Sequence, residues 1–134
     1  MAKIIEVEGI GPKYAEKLQA AGVKTTEALL KVGGTPKGRE ELSAKAETDK
    51  TLILEWVNRV DLFRVKGIGS EYSDLLESSG VDSVVELGKR KAANLYAKMM
   101  EVNTAKKLVR RPPSEKMVED WIEQAKTLPR AISY

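Results

Sequence analysis

Val7-Glu8-Gly9-Ile10-Gly11-Pro12-Lys13-Tyr14 returns 58 residues later as Val65-Lys66-Gly67-Ile68-Gly69-Ser70-Glu71-Tyr72. Each copy runs on into a helical pattern and closes on Gly-Val, at Gly22-Val23 and at Gly80-Val81. Two glycines around one isoleucine, between apolar helical runs, describe a tight turn. Glycine tolerates positive φ and lets a second backbone come close, while the isoleucine points inward as a plug. The rest of the chain is organised around these two turns.

At the 58-residue offset, ten of the 27 pairs across residues 5–31 are identical, including both glycines, the isoleucine, Tyr14/Tyr72 and Leu18/Leu76. The match then drifts and resumes at Trp56-Val57 and Trp121-Ile122, now 65 residues apart, so the second copy has lost the Gly33–Pro36 region and gained residues around its basic stretch. Two copies of one helical unit, each ending in a Trp helix, predict a pseudo-two-fold pair sharing a core. A solenoid normally needs three or more repeats. The expectation is one compact domain over 1–134, made of units at 5–60 and 61–128.

The periodicity predicts an all-α chain. A helical turn over 3–7 leads into the first turn. Pro12 opens a helix that carries Ala15, Leu18 and Ala21 inward and ends at Gly22. Thr25 caps a second helix with Ala28, Leu29 and Val32 on its buried side, stopped by Gly33-Gly34. A polar helix over 36–46 is anchored by Leu42. Thr48 caps the next, where Leu52, Ile53, Trp56, Val57 and Val60 recur at helical spacing. A short helix over 61–65 precedes the second turn. Ser70 then caps a helix with Tyr72, Leu75 and Leu76 that ends at Gly80. Asp82 caps a helix with Val84, Val85 and Leu87, and a helix over 92–102 carries Leu95, Tyr96 and Met99. A helical turn over 104–109 comes before the Pro112-Pro113 break. Ser114 caps a last helix with Met117, Val118, Trp121, Ile122 and Ala125, which Pro129 ends.

Composition narrows the chemistry. The chain has 134 residues, 42% apolar and 32% charged, and its seven aromatics (two Trp, four Tyr and one Phe) leave the core to Leu, Val, Ala and Ile. No apolar run is long enough to span a membrane, and the N-terminal residues do not read as a secretory signal. Without cysteine there is no disulfide or thiolate site, which agrees with a cytoplasmic location. Without histidine the usual general base and the commonest transition-metal ligand are missing. No nucleophile constellation or phosphate-loop motif is present, so the expectation is a protein that is not an enzyme. The net charge is only +3, but it is unevenly spread. Residues 89–111 hold eight cations (Lys89, Arg90, Lys91, Lys98, Lys106, Lys107, Arg110, Arg111) against Glu101. Residues 66–88 hold Glu71, Asp74, Glu77, Asp82 and Glu86 against Lys66.

Val7, Gly9, Ile10, Gly11, Pro12, Lys13, Ala15, Leu18, Gly22 and Val23 resemble the helix-hairpin-helix motif of repair proteins, ligases and junction-binding proteins. The second copy matches at Val65, Gly67, Ile68, Gly69, Leu76, Gly80 and Val81, with Ser70 and Ser73 departing from the pattern. The Trp-Val-Asn-Arg-Val-Asp-Leu run at 56–62 and the Pro-Pro-Ser break extend the likeness. Through them nearly the whole chain is similar to a bacterial family described as a two-hairpin domain of unknown function. The resemblance implies a tandem helix-hairpin-helix fold, SAM-like and five-helix in style. It also implies that unpaired amides at each hairpin hold phosphates of a nucleic-acid backbone, with no cofactor beyond a monovalent cation on hairpin carbonyls. Such contacts position a protein without reading bases.

Carried over by residue, the candidate nucleic-acid contacts are Gly9, Ile10, Gly11, Lys13 and Lys17 in the first copy. In the second they are Lys66, Gly67, Gly69 and Ser70, with Lys89, Arg90 and Lys91 from the basic run. The second copy places Glu71 where Lys13 stands and Asp74 where Glu16 does, and two carboxylates beside the turn repel phosphate. The first copy is therefore the expected binder. Bland readings stand beside these: turns that merely join helices, a basic run that is solvated helix surface, and Trp56 and Trp121 as core rather than base-stacking residues. The expected partner is DNA or RNA backbone, with no membrane. The alternative is a protein-interaction or self-association module that kept the fold without the binding.

Overall fold

The computed structural model describes residues 3–7 and 9–134, and the chain is all-α. Among the described residues there are eight α-helices, one 3₁₀ turn and no strand, with a single isolated antiparallel bridge between Lys3 and Thr25. No described helix is long and apolar enough to cross a membrane. The chain divides into two compact units, Met1–Asp61 with Ala131–Tyr134, and Leu62–Arg130.

In the first unit a 3₁₀ turn (Ile4–Glu6) leads to α1 (Pro12–Ala20), α2 (Thr26–Gly33), α3 (Pro36–Ala46) and α4 (Lys50–Leu62), whose last residue falls in the second unit. Pro12 occupies the first helical position, where a missing N–H costs nothing. α1 ends in a Schellman motif: Val23 N–H donates to Leu18 O at 2.9 Å and Gly22 N–H to Gln19 O at 3.0 Å. Gly22 sits at φ +91°, which a Cβ would oppose. Thr25 caps α2, its hydroxyl accepting from Ala28 N–H at 3.1 Å.

Two expectations for this unit change. Val32 is 39% exposed rather than inward. The buried stripe of α2 runs through Thr26, Leu29 and Gly33. Gly33 is bare because Val57 Cγ2 of α4 occupies the space a Cβ would fill, only 2.5 Å from it. Thr48 does not cap α4. That position belongs to Asp49, whose Oδ1 accepts from Thr51 N–H at 2.8 Å. Thr48 is buried instead, its hydroxyl donating to Ala46 O at 2.9 Å. The polar helix α3 also holds a buried arginine. Arg39 donates to Gly33 O and Ser133 O, both at 2.8 Å, and so ties the last residues of the chain into this unit.

In the second unit α5 (Ser70–Ser78), α6 (Val84–Gly88), α7 (Ala92–Lys106) and α8 (Glu115–Thr127) repeat the order of α1 to α4. Its core gathers Leu62, Val65, Ile68, Leu75, Leu76, Val84, Leu87, Leu95, Met99 and Trp121. α6 and α7 both pack against α8, and α5 against α7. The Schellman ending recurs, with Val81 N–H on Leu76 O at 2.9 Å and Gly80 at φ +96°.

The second unit corrects five expectations. No separate helix covers 61–65: α4 runs to Leu62 and a single turn, Val65 N–H to Leu62 O at 3.1 Å, closes it. Ser70 is the first helical residue rather than the cap; Gly69 is the N-cap, and its carbonyl accepts the first helical bond from Ser73. Ser83, not Asp82, caps α6, accepting from Glu86 N–H at 3.3 Å. The helix expected over 92–102 continues to Lys106 and ends on Lys107 in the left-handed region, so 104–106 belong to α7 and no separate helical turn covers 104–109. Met117 is 37% exposed because the buried stripe of α8 runs through Val118, Trp121, Ile122 and Ala125. Ser114 caps α8 as expected, accepting from Met117 N–H at 3.1 Å.

Candidate functional site

The two Gly-Ile-Gly turns have the same construction. Ile10 N–H donates to Val7 O at 3.0 Å and Ile68 N–H to Val65 O at 3.2 Å, and both isoleucines are buried plugs. The two glycines of each turn do different jobs. The first takes positive φ, +93° at Gly9 and +97° at Gly67. It also lies against an indole: a Cβ at Gly9 would meet Trp56 Nε1 at 3.4 Å, and one at Gly67 would meet Trp121 Nε1 at 3.0 Å. The second, Gly11 or Gly69, has extended backbone as an N-cap, and a Cβ there would meet nothing within 4 Å. Its bareness leaves the helix start open to solvent.

Beneath each turn a tyrosine and a tryptophan form an aromatic pair. Tyr14 meets Trp56 edge-on with ring centroids 5.1 Å apart, and Tyr72 meets Trp121 at 5.2 Å. Both tryptophans are buried, so the indoles support the turns from inside. Above each turn the first helical amides have no intrahelical acceptor. In α5 these belong to Ser70, Glu71 and Tyr72. In α1 Pro12 contributes none, leaving Lys13 and Tyr14. Each cluster is a partial positive charge of about half a unit.

The surroundings of the two turns diverge. At the first, Lys13 is exposed beside Gly11, but Lys17 is directed elsewhere, its Nζ donating to Glu47 O at the end of α3 at 3.4 Å. A cation at a helix C-terminus offsets the negative dipole end, which gives Lys17 a structural role. At the second, the peptide of Lys66 is gripped by Gln124 of α8: Lys66 N–H donates to Oε1 at 2.9 Å, and Nε2 donates to Lys66 O at 3.2 Å. The exposed Lys66 side chain thus stands on a fixed backbone.

The segment between α7 and α8, residues 107–114, is longer than its counterpart at 47–49 in the first unit. Asn103 clamps it on both sides of Val109, accepting from its N–H at 2.9 Å and donating to its carbonyl at 3.2 Å. Val109 and Pro113 are buried. Between them, Arg111 O accepts a 2.9 Å hydrogen bond from the Tyr72 hydroxyl. This strap brings the exposed Arg110 and Arg111 to the second turn, where with Gly67, Gly69, Ser70, Glu71 and Tyr72 they line an open cleft of about 510 Å³.

The basic run 89–111 is therefore not one patch. Its beginning lies at the other end of α5: Arg90 donates to Gly80 O at 2.8 Å and to Glu86 Oε1 at 3.1 Å, closing the connection after α5. Lys89 and Lys91 are exposed beside it. α5 separates that end from the cleft by about 13 Å, at 1.5 Å per residue. Sequence reasoning missed Arg110 and Arg111 as neighbours of the second turn. The signal was the change of repeat offset from 58 to 65, which marks an insertion but not where it folds.

Fold and site together define a small all-α protein with two copies of a glycine turn, each opening a helix whose first amides have no intrahelical acceptor. The chain belongs to the DUF4332 family, a domain of unknown function, whose model matches residues 8–128. No curated protein and no solved structure matches it.

Proposed function

We propose that this is a tandem helix-hairpin-helix protein that binds nucleic-acid backbone, DNA first, without sequence preference and without catalysing a reaction. The observation that carries the reading is the cleft at Gly67 to Tyr72, where outward amides and two arginines converge on one space. Helix-start amides and guanidinium groups are both suited to phosphate oxygens. Contacts made to phosphate oxygens carry no base information, so they would position the protein rather than specify a sequence.

The two arginines answer the objection raised by Glu71. The exposed Glu71 carboxylate repels phosphate, but the exposed Arg110 and Arg111 line the same cleft. The first turn contributes Gly9, Gly11 and Lys13 as a weaker contact, with Lys17 withdrawn to α3.

Fluorescence anisotropy with labelled duplex and single-stranded DNA tests this at about 50 and 200 mM salt, where phosphate-based affinity falls steeply. The expected result is binding that weakens with salt and is indifferent to sequence. No binding at the lower salt would overturn it. The rival reading, a protein-interaction module, draws on the acidic side chains at 71–86. A protein partner captured reproducibly after nuclease treatment, together with absent DNA binding, would favour it.

A further inference from the structure

We infer that the cleft of the second turn receives a phosphorylated strand end, a phosphomonoester in preference to an internal phosphodiester. This rests on the nucleic-acid reading and adds to it a preferred chemical form of phosphate. The first ground is charge. Arg110 and Arg111 less Glu71, with the half-charge of the α5 start, leave a local excess of about 1.5 positive charges. A terminal phosphate carries about −1.5 to −2 at neutral pH, whereas an internal diester carries about −1. The cleft therefore matches the monoester more closely.

The second ground is shape. The cleft is lined by the turn and the start of α5 together with the arginine-bearing strap. A phosphate entering between them is approached from two sides, which suits a group with three free oxygens at a chain end. The third ground is fixation. The strap backbone is held by Asn103 at Val109 and by the Tyr72 hydroxyl at Arg111, and Pro113 is buried behind it. The backbone under both arginines is thus ordered before any ligand arrives, which lowers the ordering cost of binding.

The experiment compares one short duplex bearing a 5′-phosphate, a 3′-phosphate or hydroxyl ends only, by anisotropy with the full chain. One phosphorylated form is expected to bind about tenfold tighter than the hydroxyl form, the scale of a charge-assisted hydrogen bond. That preference should weaken as pH falls below about 6, where the monoester takes up its second proton. The double variant Arg110→Gln/Arg111→Gln should lose the preference while keeping the unfolding midpoint of the parent, because both side chains are exposed. Equal affinity for phosphorylated and hydroxyl ends would overturn the inference and leave backbone binding standing. No binding to any duplex would remove both. Displacement of the phosphorylated duplex by inorganic phosphate at equal concentration would overturn it in favour of a free anion. Equal binding of a phosphoserine peptide would overturn it in favour of a protein ligand.

Discussion

The turn at Gly9 opens onto a helix that begins with Pro12 and Lys13, and its second lysine, Lys17, reaches to the end of α3. The turn at Gly67 opens onto Ser70 and Glu71, a pair that looks less hospitable to phosphate, yet an inserted strap carries Arg110 and Arg111 to it. The two turns share backbone conformation, buried isoleucine and supporting tryptophan. They differ in groups supplied from elsewhere in the fold. In this protein the two turns share a backbone and its tryptophan support, while a loop some 40 residues away makes the charge around the second one different.

The largest effect should come from what the turns share. Trp56→Ala and Trp121→Ala each remove a buried indole and its tyrosine contact, and each should cost about 3–5 kcal/mol in urea unfolding. A small loss at either position would break the equivalence of the two supports. The next effect separates the turns. Arg110→Glu/Arg111→Glu should weaken duplex binding by about 2–3 kcal/mol, and the salt dependence should flatten by about two phosphate contacts. Lys13→Glu should do less, and the reverse ranking would return the main site to the first turn.

Smaller effects sharpen the local geometry. Gly67→Ala and Gly9→Ala place a Cβ at positive φ and should each destabilise by about 1–3 kcal/mol. Gly67→Ala should cost more, because its Cβ meets Trp121 Nε1 at 3.0 Å rather than 3.4 Å. Thermal unfolding of the two variants side by side measures the difference. Smallest of all, Ser83→Ala should cost about 1 kcal/mol as a lost cap, whereas Asp82→Ala should be nearly neutral.

Much of this architecture was legible in the sequence because it is written at short range. Thr25, Ser114, Gly22 and Gly80 act within a few residues of themselves, and Trp56 and Trp121 sit in stripes of helical period. Where local reading failed at Ser70 and Asp82, the repeat held the answer. Ser70 aligns with Pro12, a first helical residue, and Ser83 aligns with the true cap Thr25. Long-range features left no such trace. Arg39 reads as one more charge on a polar helix until its carbonyl partners are seen. Arg110 and Arg111 read as the end of a basic run, since nothing local shows that Tyr72 takes hold of Arg111. The candidate site was therefore half visible: its turn could be found from residue types, and its cations only from the fold.

Arg39 also has a consequence for the order in which the chain is completed. Its hydrogen bond to Ser133 spans 94 residues, and Ser133 N–H returns a second bond to Gly34 O at 2.7 Å. α3 precedes Ser133 by the whole of the second unit, whereas Gly33 and Gly34 lie just before it. Contacts of such sequence separation are slow to close. Until this one closes, Arg39 has only its near partner, Gly33 O six residues away, and half of its carbonyl pairing waits on Ser133.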